Sequence, residues 1–236
     1  MSEIKETLLH KKLSGIGFSP KHAAEVGVYK PETSNIYSYI IQGCRCTLVE
    51  PDPHSCSLIN DMFSEQRNIT LHQVALCDFS GNVELVQRDA STFVSTIQSS
   101  PSIVNDEYDI QEKDKFTVVA KTFNEIDDGS IDLISIDTEG SEWFVIKHMV
   151  SRPEVISIET HGALYTNPYI REITNWMKEN QYSIWYIDKS DSVYIKNTTF
   201  FPGMLDKLKL YLHKSYLFLT KTRKRIKRNI RKIFIK

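Results

Sequence analysis

Five short apolar runs of this chain each close on an acidic residue. The ends read Glu25-Val26-Gly27, Glu50-Pro51-Asp52, Cys77-Asp78, Asp137-Thr138-Glu139 and Glu159-Thr160-His161, while the interiors of the runs are almost free of charge. Carboxylates placed in this way accept hydrogen bonds from hydroxyls and amines, ligate a divalent cation, or take a proton from a reacting group. The histidine at the last end adds a group that titrates near neutral pH.

Glu50 follows Gly27 by one strand-and-helix length, the spacing at which an acid meets ribose hydroxyls in nucleoside-binding folds. The turn between them, EVGVYKPETSN, lacks the G-x-G-x-x-G that cradles a pyrophosphate. S-adenosylmethionine carries an adenosine and no pyrophosphate, so Gly27 with Glu50 favours it over NAD; a plain turn glycine and a surface acid are the competing explanation. Asp78, in ALCDFSG, is placed to accept from an adenine amino group, or it simply forms the turn ahead of Ser80-Gly81. The densest cluster is IDTEGSE at 136–142, followed by IETH at 158–161. His161 with Glu159 and Asp137 makes a candidate base for deprotonating an alcohol. The same carboxylates are alternatively ligands for a divalent ion such as magnesium that acidifies the hydroxyl. Glu139 and Glu142 have a plainer reading as acids at a helix N-terminus, and His161 one as a structural hydrogen-bonding group.

The elements that must position these residues follow from periodicity. Strands are predicted at 22–26, 46–50, 69–76, 131–137, 155–160, 183–188 and 192–196, and helices at 3–12, 34–43, 53–66, 140–150 and 167–181, the last capped by Asn167 with Pro168 at its first position. Alternating strands and helices give a doubly wound α/β domain with a mostly parallel sheet, whose ligands sit beyond the carboxyl ends of the strands. The polar stretch 81–121 breaks the rhythm and reads as an insertion over the active face. Four scattered cysteines without a C-x-x-C pair read as buried free thiols.

At this point the motifs EVG (25–27), LVEPDP (48–53), ALCDFSG (75–81), SIDTEGSE (135–142) and IETH (158–161) resemble those of the FkbM-type methyltransferases, in the family's order. The resemblance implies a Rossmann-like class I fold using S-adenosylmethionine, usually to methylate oxygen on sugars, glycans or secondary metabolites. The chain departs from the family's first motif: Glu25 stands in place of Asp, and Pro31 falls where a second glycine is usual. Ser34 and Asn35 are then expected to replace the glycine backbone contacts. The cofactor set is thus Glu25, Gly27, Ser34, Asn35, Glu50 and Asp78, with Asp137, Glu159 and His161 around a saccharide or metabolite hydroxyl. The alternative is a degenerate binding module, which the missing glycine favours and the five acidic ends oppose.

The net charge of −1 conceals a division. Residues 207–236 hold twelve Lys or Arg and no acid, so the rest of the chain is strongly acidic. Apolar residues from Leu205 onward recur at helical spacing, which sets off a basic amphipathic tail at 204–236 from a Rossmann-like domain at 1–203. Such a tail suits peripheral attachment to an anionic membrane; an acidic glycan is a second partner, and nucleic acid is disfavoured because the body would repel phosphate. The first residues hold no apolar signal segment, so the expected location is the cytoplasm, peripheral at the inner face of the membrane.

Overall fold

A computed structural model describes residues 6–88, 91–95, 100, 103–104, 108, 110–162 and 164–234. Its main sheet has seven strands in the order β10-β11-β9-β8-β1-β2-β3. The first three are β1 (His22–Val26), β2 (Arg45–Val49) and β3 (Ile69–His72); beyond them lie β8 (Leu133–Ile136), β9 (Val155–Glu159), β10 (Tyr182–Asp188) and β11 (Asp191–Lys196). β1, β2, β3, β8 and β9 are mutually parallel, and β11 pairs antiparallel with both β9 and β10. The chain winds outward from β1 through β2 to β3, then returns to β8 on the other side of β1 and winds the opposite way. That reversal is the switch point at which an open α/β sheet takes its ligand.

Every residue of β1, β8 and β9 is buried, as strands covered on both faces must be. The period-two alternation of a strand divides them between two cores. Ala24, Val26, Ile134, Ile136, Ile156 and Ile158 pack with α4 (Glu142–Lys147) and α5 (Ile170–Glu179). Ala23, Leu48, Leu133 and Val155 pack with α1 (Leu8–Gly15), α2 (Tyr37–Ile41) and α3 (Pro53–Met62). Asp52 caps α3, its carboxylate accepting from the backbone of His54 and Ser55, and Pro53 opens the helix. This cap fixes the strand-to-helix turn that carries Glu50.

Three expectations are corrected. The run 69–76 is not one strand: β3 ends at His72, and β4 (Ala75–Leu76) leaves the main sheet to pair with β7. The described residues of the insertion 81–121 add β5 (Gly81–Arg88), β6 (Ser91–Val94) and β7 (Lys115–Lys121) to β4 in a second sheet of order β4-β7-β5-β6, where no regular element was expected. Its alternation of exposed Glu84 with buried Val83 and Leu85 marks a sheet covered on one face. α5 is regular only from Ile170, three residues after the predicted start, although Asn167 Oδ1 does accept from the Tyr169 amide at 2.9 Å in the turn ahead of it. The predicted first helix is α1 from Leu8, capped by the Thr7 side chain, and residues 3–5 of the prediction lie outside the described residues. The tail is one helix, α6 (Met204–Phe234). Among the described residues no helix is long and apolar enough to cross a membrane.

Candidate active site

A cleft of about 650 Å³, including its open mouth, lies at the switch point. Its floor is the end of β1, with Val26, Gly27 and Tyr29. One wall is Val49, Glu50 and Pro51; a second is the 137–139 turn with Ser141; Leu85, Thr92, Phe93 and Val94 of the second sheet close the third. The stretch expected over the active face therefore does reach the cleft, as a packed hairpin with an apolar face.

Gly27 makes the cleft possible. It sits at φ +81°, and a Cβ there would overlap the backbone carbonyl of Asp137. Gly27→Ala is therefore expected to cost a few kcal/mol of stability, since both the left-handed backbone and the clash must be relieved; denaturant unfolding measures it, and a loss below about 1 kcal/mol would show that the two turns separate freely. Two non-glycine residues lining the cleft, Tyr29 (φ +54°) and Glu139 (φ +55°), also hold left-handed backbone. Such strain costs of order 1–3 kcal/mol at each residue and gathers at functional sites.

Glu50 is 3% exposed. One carboxylate oxygen accepts from the Tyr29 amide at 2.8 Å and the other from the Asp52 amide at 3.0 Å. Burial raises its pKa. Each oxygen keeps a further lone pair for a ligand hydroxyl, so the predicted ribose anchor faces the cleft in a fixed orientation.

Asp137 lines the cleft from the opposite side. Its Oδ1 is shut from solvent and has no hydrogen-bond partner, and the same holds for Glu159 Oε2. Asp137, Glu142 and Glu159 present carboxylate oxygens all within 4.8 Å of one another. Burial raises the pKa of all three; like charge among them adds to this at Asp137 and Glu159. Behind them lies Asp191, paired directly with Glu159 across β11 and β9, its pKa also raised by burial. Glu25 completes the group, with burial pushing its carboxyl up to about 7. Among the described residues no ion pair includes any of these five acids. Like carboxylates in a low-dielectric pocket cannot all ionise unless a cation or shared protons offset them.

Glu142 was the acid that sequence alone assigned to a helix start. It is completely buried: one oxygen accepts from the amides of Thr138 and Gly140, each at 3.0 Å, and the other from Asn167 Nδ2 at 2.5 Å. Its work is to hold the 137–140 turn, and Asn167 reaches it through Nδ2 while its Oδ1 accepts from the Tyr169 amide ahead of α5. Within the cluster, a metal ion would find open oxygens on Asp137 and Glu159 only, with Glu142 already committed.

Five expected site residues lie elsewhere. Glu25, Ser34 and Asn35 do not line the cleft: the Ser34 hydroxyl and the Asn35 amide both donate to the Glu25 carboxylate, and Asn35 Nδ2 donates to Ser135. Pro31 opens a short 3₁₀ turn that swings these two side chains inward to brace β1. Asp78 is no adenine acceptor in this arrangement; it is 43% exposed and bonded to Lys147 at 2.6 Å and His148 at 2.7 Å, which hold its carboxyl below the usual range. His161 stands outside the carboxylate cluster. Its Nδ1 bonds the Thr160 hydroxyl, which bonds Ser192, while burial first, then Lys221 and His213, push its pKa down to about 4. Its Nε2 has no partner. Asp191 and the hairpin wall were missed, because both arrive by pairings that leave no local trace in the sequence.

The fold and cleft define a Rossmann-like class of cofactor-binding α/β protein whose site bears buried, uncompensated negative charge. Residues 25–184 match the model of the methyltransferase FkbM domain, and the chain belongs to that family of methyltransferases, for which S-adenosylmethionine is the expected methyl donor. No curated protein sequence matches the chain. Among solved structures it is similar to the ribosomal protein L11 methylase of Lactobacillus delbrueckii subsp. bulgaricus, at 11% identity, covering 80% of each chain with a TM-score of 0.42. It is also similar to the precorrin-6y C5,15-methyltransferase of Geobacter metallireducens, at 12% identity, covering 83% of this chain and 90% of that one with a TM-score of 0.40.

Proposed function

We propose that the protein transfers a methyl group from S-adenosylmethionine to a hydroxyl of a saccharide, glycan or related metabolite. The observation that carries this reading is Asp137 on the cleft wall, backed by the buried carboxylates of Glu142 and Glu159, with Glu50 also lining the cleft. S-adenosylmethionine supplies an electrophilic methyl on a sulfonium, and it carries an ammonium besides. A cationic ligand relieves the repulsion among the acids; a dinucleotide pyrophosphate would add to it. Glu50 holds the ribose, the close turn at Gly27 admits the ligand's backbone-side edge, and the apolar hairpin excludes water.

An alcohol needs its proton removed as the methyl arrives. Asp137 lines the cleft and its Oδ1 has no donor, which makes its carboxylate the candidate acceptor for that proton, with Glu159 Oε2 behind it. A divalent cation at these two oxygens is a second way to acidify the hydroxyl, so acceptors are to be screened with and without magnesium.

Calorimetric titration with S-adenosylmethionine and S-adenosylhomocysteine tests the donor. Saturable binding is expected for both, weaker for S-adenosylhomocysteine because it lacks the sulfonium charge. Glu50→Ala should weaken both by about 10- to 100-fold, the worth of one or two hydrogen bonds to a charged group. Folded protein that binds neither ligand would turn the assignment toward the degenerate module.

A further inference from the structure

We infer that α6 docks in the plane of an anionic lipid bilayer and brings the segment after β9, on the carboxyl-end side of the sheet, to the membrane surface. The helix runs 31 residues, about 46 Å at the usual rise. It packs on β10, and the side chains turned toward the body are half-buried: Asp206, Leu210, His213, Leu217, Thr220 and Lys221. On the remaining face Leu205, Leu208, Leu212, Tyr216, Leu219 and Ile226 are each more than half exposed. At 100° per residue the centre of this apolar stripe lies about 140° from the packed seam, so the helix turns its greasy side away from the domain.

Charge identifies the occupant. Lysines and arginines flank the stripe on both sides, among them Lys209 and Lys227 on one and Lys207, Lys214 and Arg225 on the other, with no acid after Asp206. An apolar stripe between rows of cations is the pattern of a helix lying in a headgroup layer, and the exposed Tyr211, Tyr216 and Phe218 suit that depth. A nucleic acid would satisfy the cations but leave the stripe in water. A second copy would cover the stripe but set two strongly basic helices against each other.

The helix is tied to the site. Lys221 Nζ donates to the Tyr165 carbonyl at 2.6 Å and to the Thr166 hydroxyl at 3.0 Å, in the segment that follows Glu159 and His161. Docking therefore places that segment about one helix diameter, some 10–12 Å, from the lipid. The acceptor hydroxyl is then one presented at the membrane, on a lipid or a lipid-linked saccharide; this consequence rests on the methyltransferase reading, while docking itself does not.

The test uses the full chain and vesicle flotation with no methyl donor present, so that it stands apart from donor binding. Vesicles of phosphatidylglycerol with phosphatidylcholine should carry the protein at least about tenfold better than phosphatidylcholine alone, and added salt should weaken the binding. Leu212→Asn/Leu219→Asn keeps the charge and removes the centre of the stripe; it should lose about tenfold or more in flotation while its calorimetric titration with S-adenosylmethionine stays unchanged. Equal flotation of this variant and the parent, equal binding to both vesicle types, a dimer on sedimentation that the variant abolishes, or capture by duplex RNA without flotation would each overturn the inference.

Discussion

Taking the ligand-free protein from about pH 8 to about pH 6.5 is expected to raise its melting temperature by about 4–8 °C, opposite to the trend that salt-bridged carboxylates impose. Asp137, Glu159 and Asp191 have pKa values raised by burial and by one another, and Glu25 is raised to about 7. In this window the unfolded chain has these carboxyls ionised, while the folded chain keeps a proton on Glu159, raised to about 11, and increasingly on Glu25 as pH falls toward 7. The folded state thus binds more protons, and stability falls as pH rises through the folded pKa values. One carboxyl kept protonated throughout contributes about 1.4 kcal/mol per pH unit, about 2 kcal/mol in all, and about 2–4 °C follow per kcal/mol in a chain of this size. His22, His72 and His161, whose pKa values burial lowers, begin to pull the other way as pH falls through about 7, because in the unfolded chain they titrate near 6.5, and this sets the floor of the window. Scanning calorimetry across the range, on the parent and on Glu159→Gln, measures the slope. The variant should melt higher at the alkaline end and respond less to pH; a parent that grows more stable as pH rises would mean that the acids are already neutralised in the folded chain.

The same acids show what a sequence reveals of such a site. Strand ends with lone carboxylates stand out against apolar interiors, so Glu50, Asp137 and Glu159 were legible together with the parallel strands that carry them. What local pattern cannot carry is pairing across distance. Asp78 resembles an adenine acceptor until Lys147 and His148 arrive from α4 and its end to claim it. Asn167 reads as a cap, and its Oδ1 does accept from the Tyr169 amide; what no local pattern shows is the bond from its Nδ2 to the buried Glu142. Ser34 and Asn35 were correctly tied to the altered first turn, but their hydrogen bonds run to Glu25, inward from the cleft. The run 69–76 has uniform β character, and only the competing partner strands β2 and β7 decide where it breaks.

Replacing Asp137 with asparagine is expected to reduce methyl transfer by about 10²–10⁴-fold, the usual worth of a positioned base, and at the same time to raise stability near pH 8. The substitution is nearly isosteric, so the turn held by Glu142 and the overlap-free approach of Gly27 are retained. It removes a buried carboxylate whose Oδ1 has no donor and which repels Glu139, Asp191 and Glu142. A residue kept only for folding would show the opposite pairing, because its loss lowers stability before it touches rate. Opposed changes in the two quantities mark strain held for function. His161→Gln is the companion measurement. His161 lies outside the cluster and is neutral near pH 7, so its variant should stay within about tenfold of the parent rate. Should His161→Gln instead abolish transfer while Asp137→Asn keeps it, the proton would leave through Nε2, and the segment pinned by Lys221 would move into the catalytic machinery.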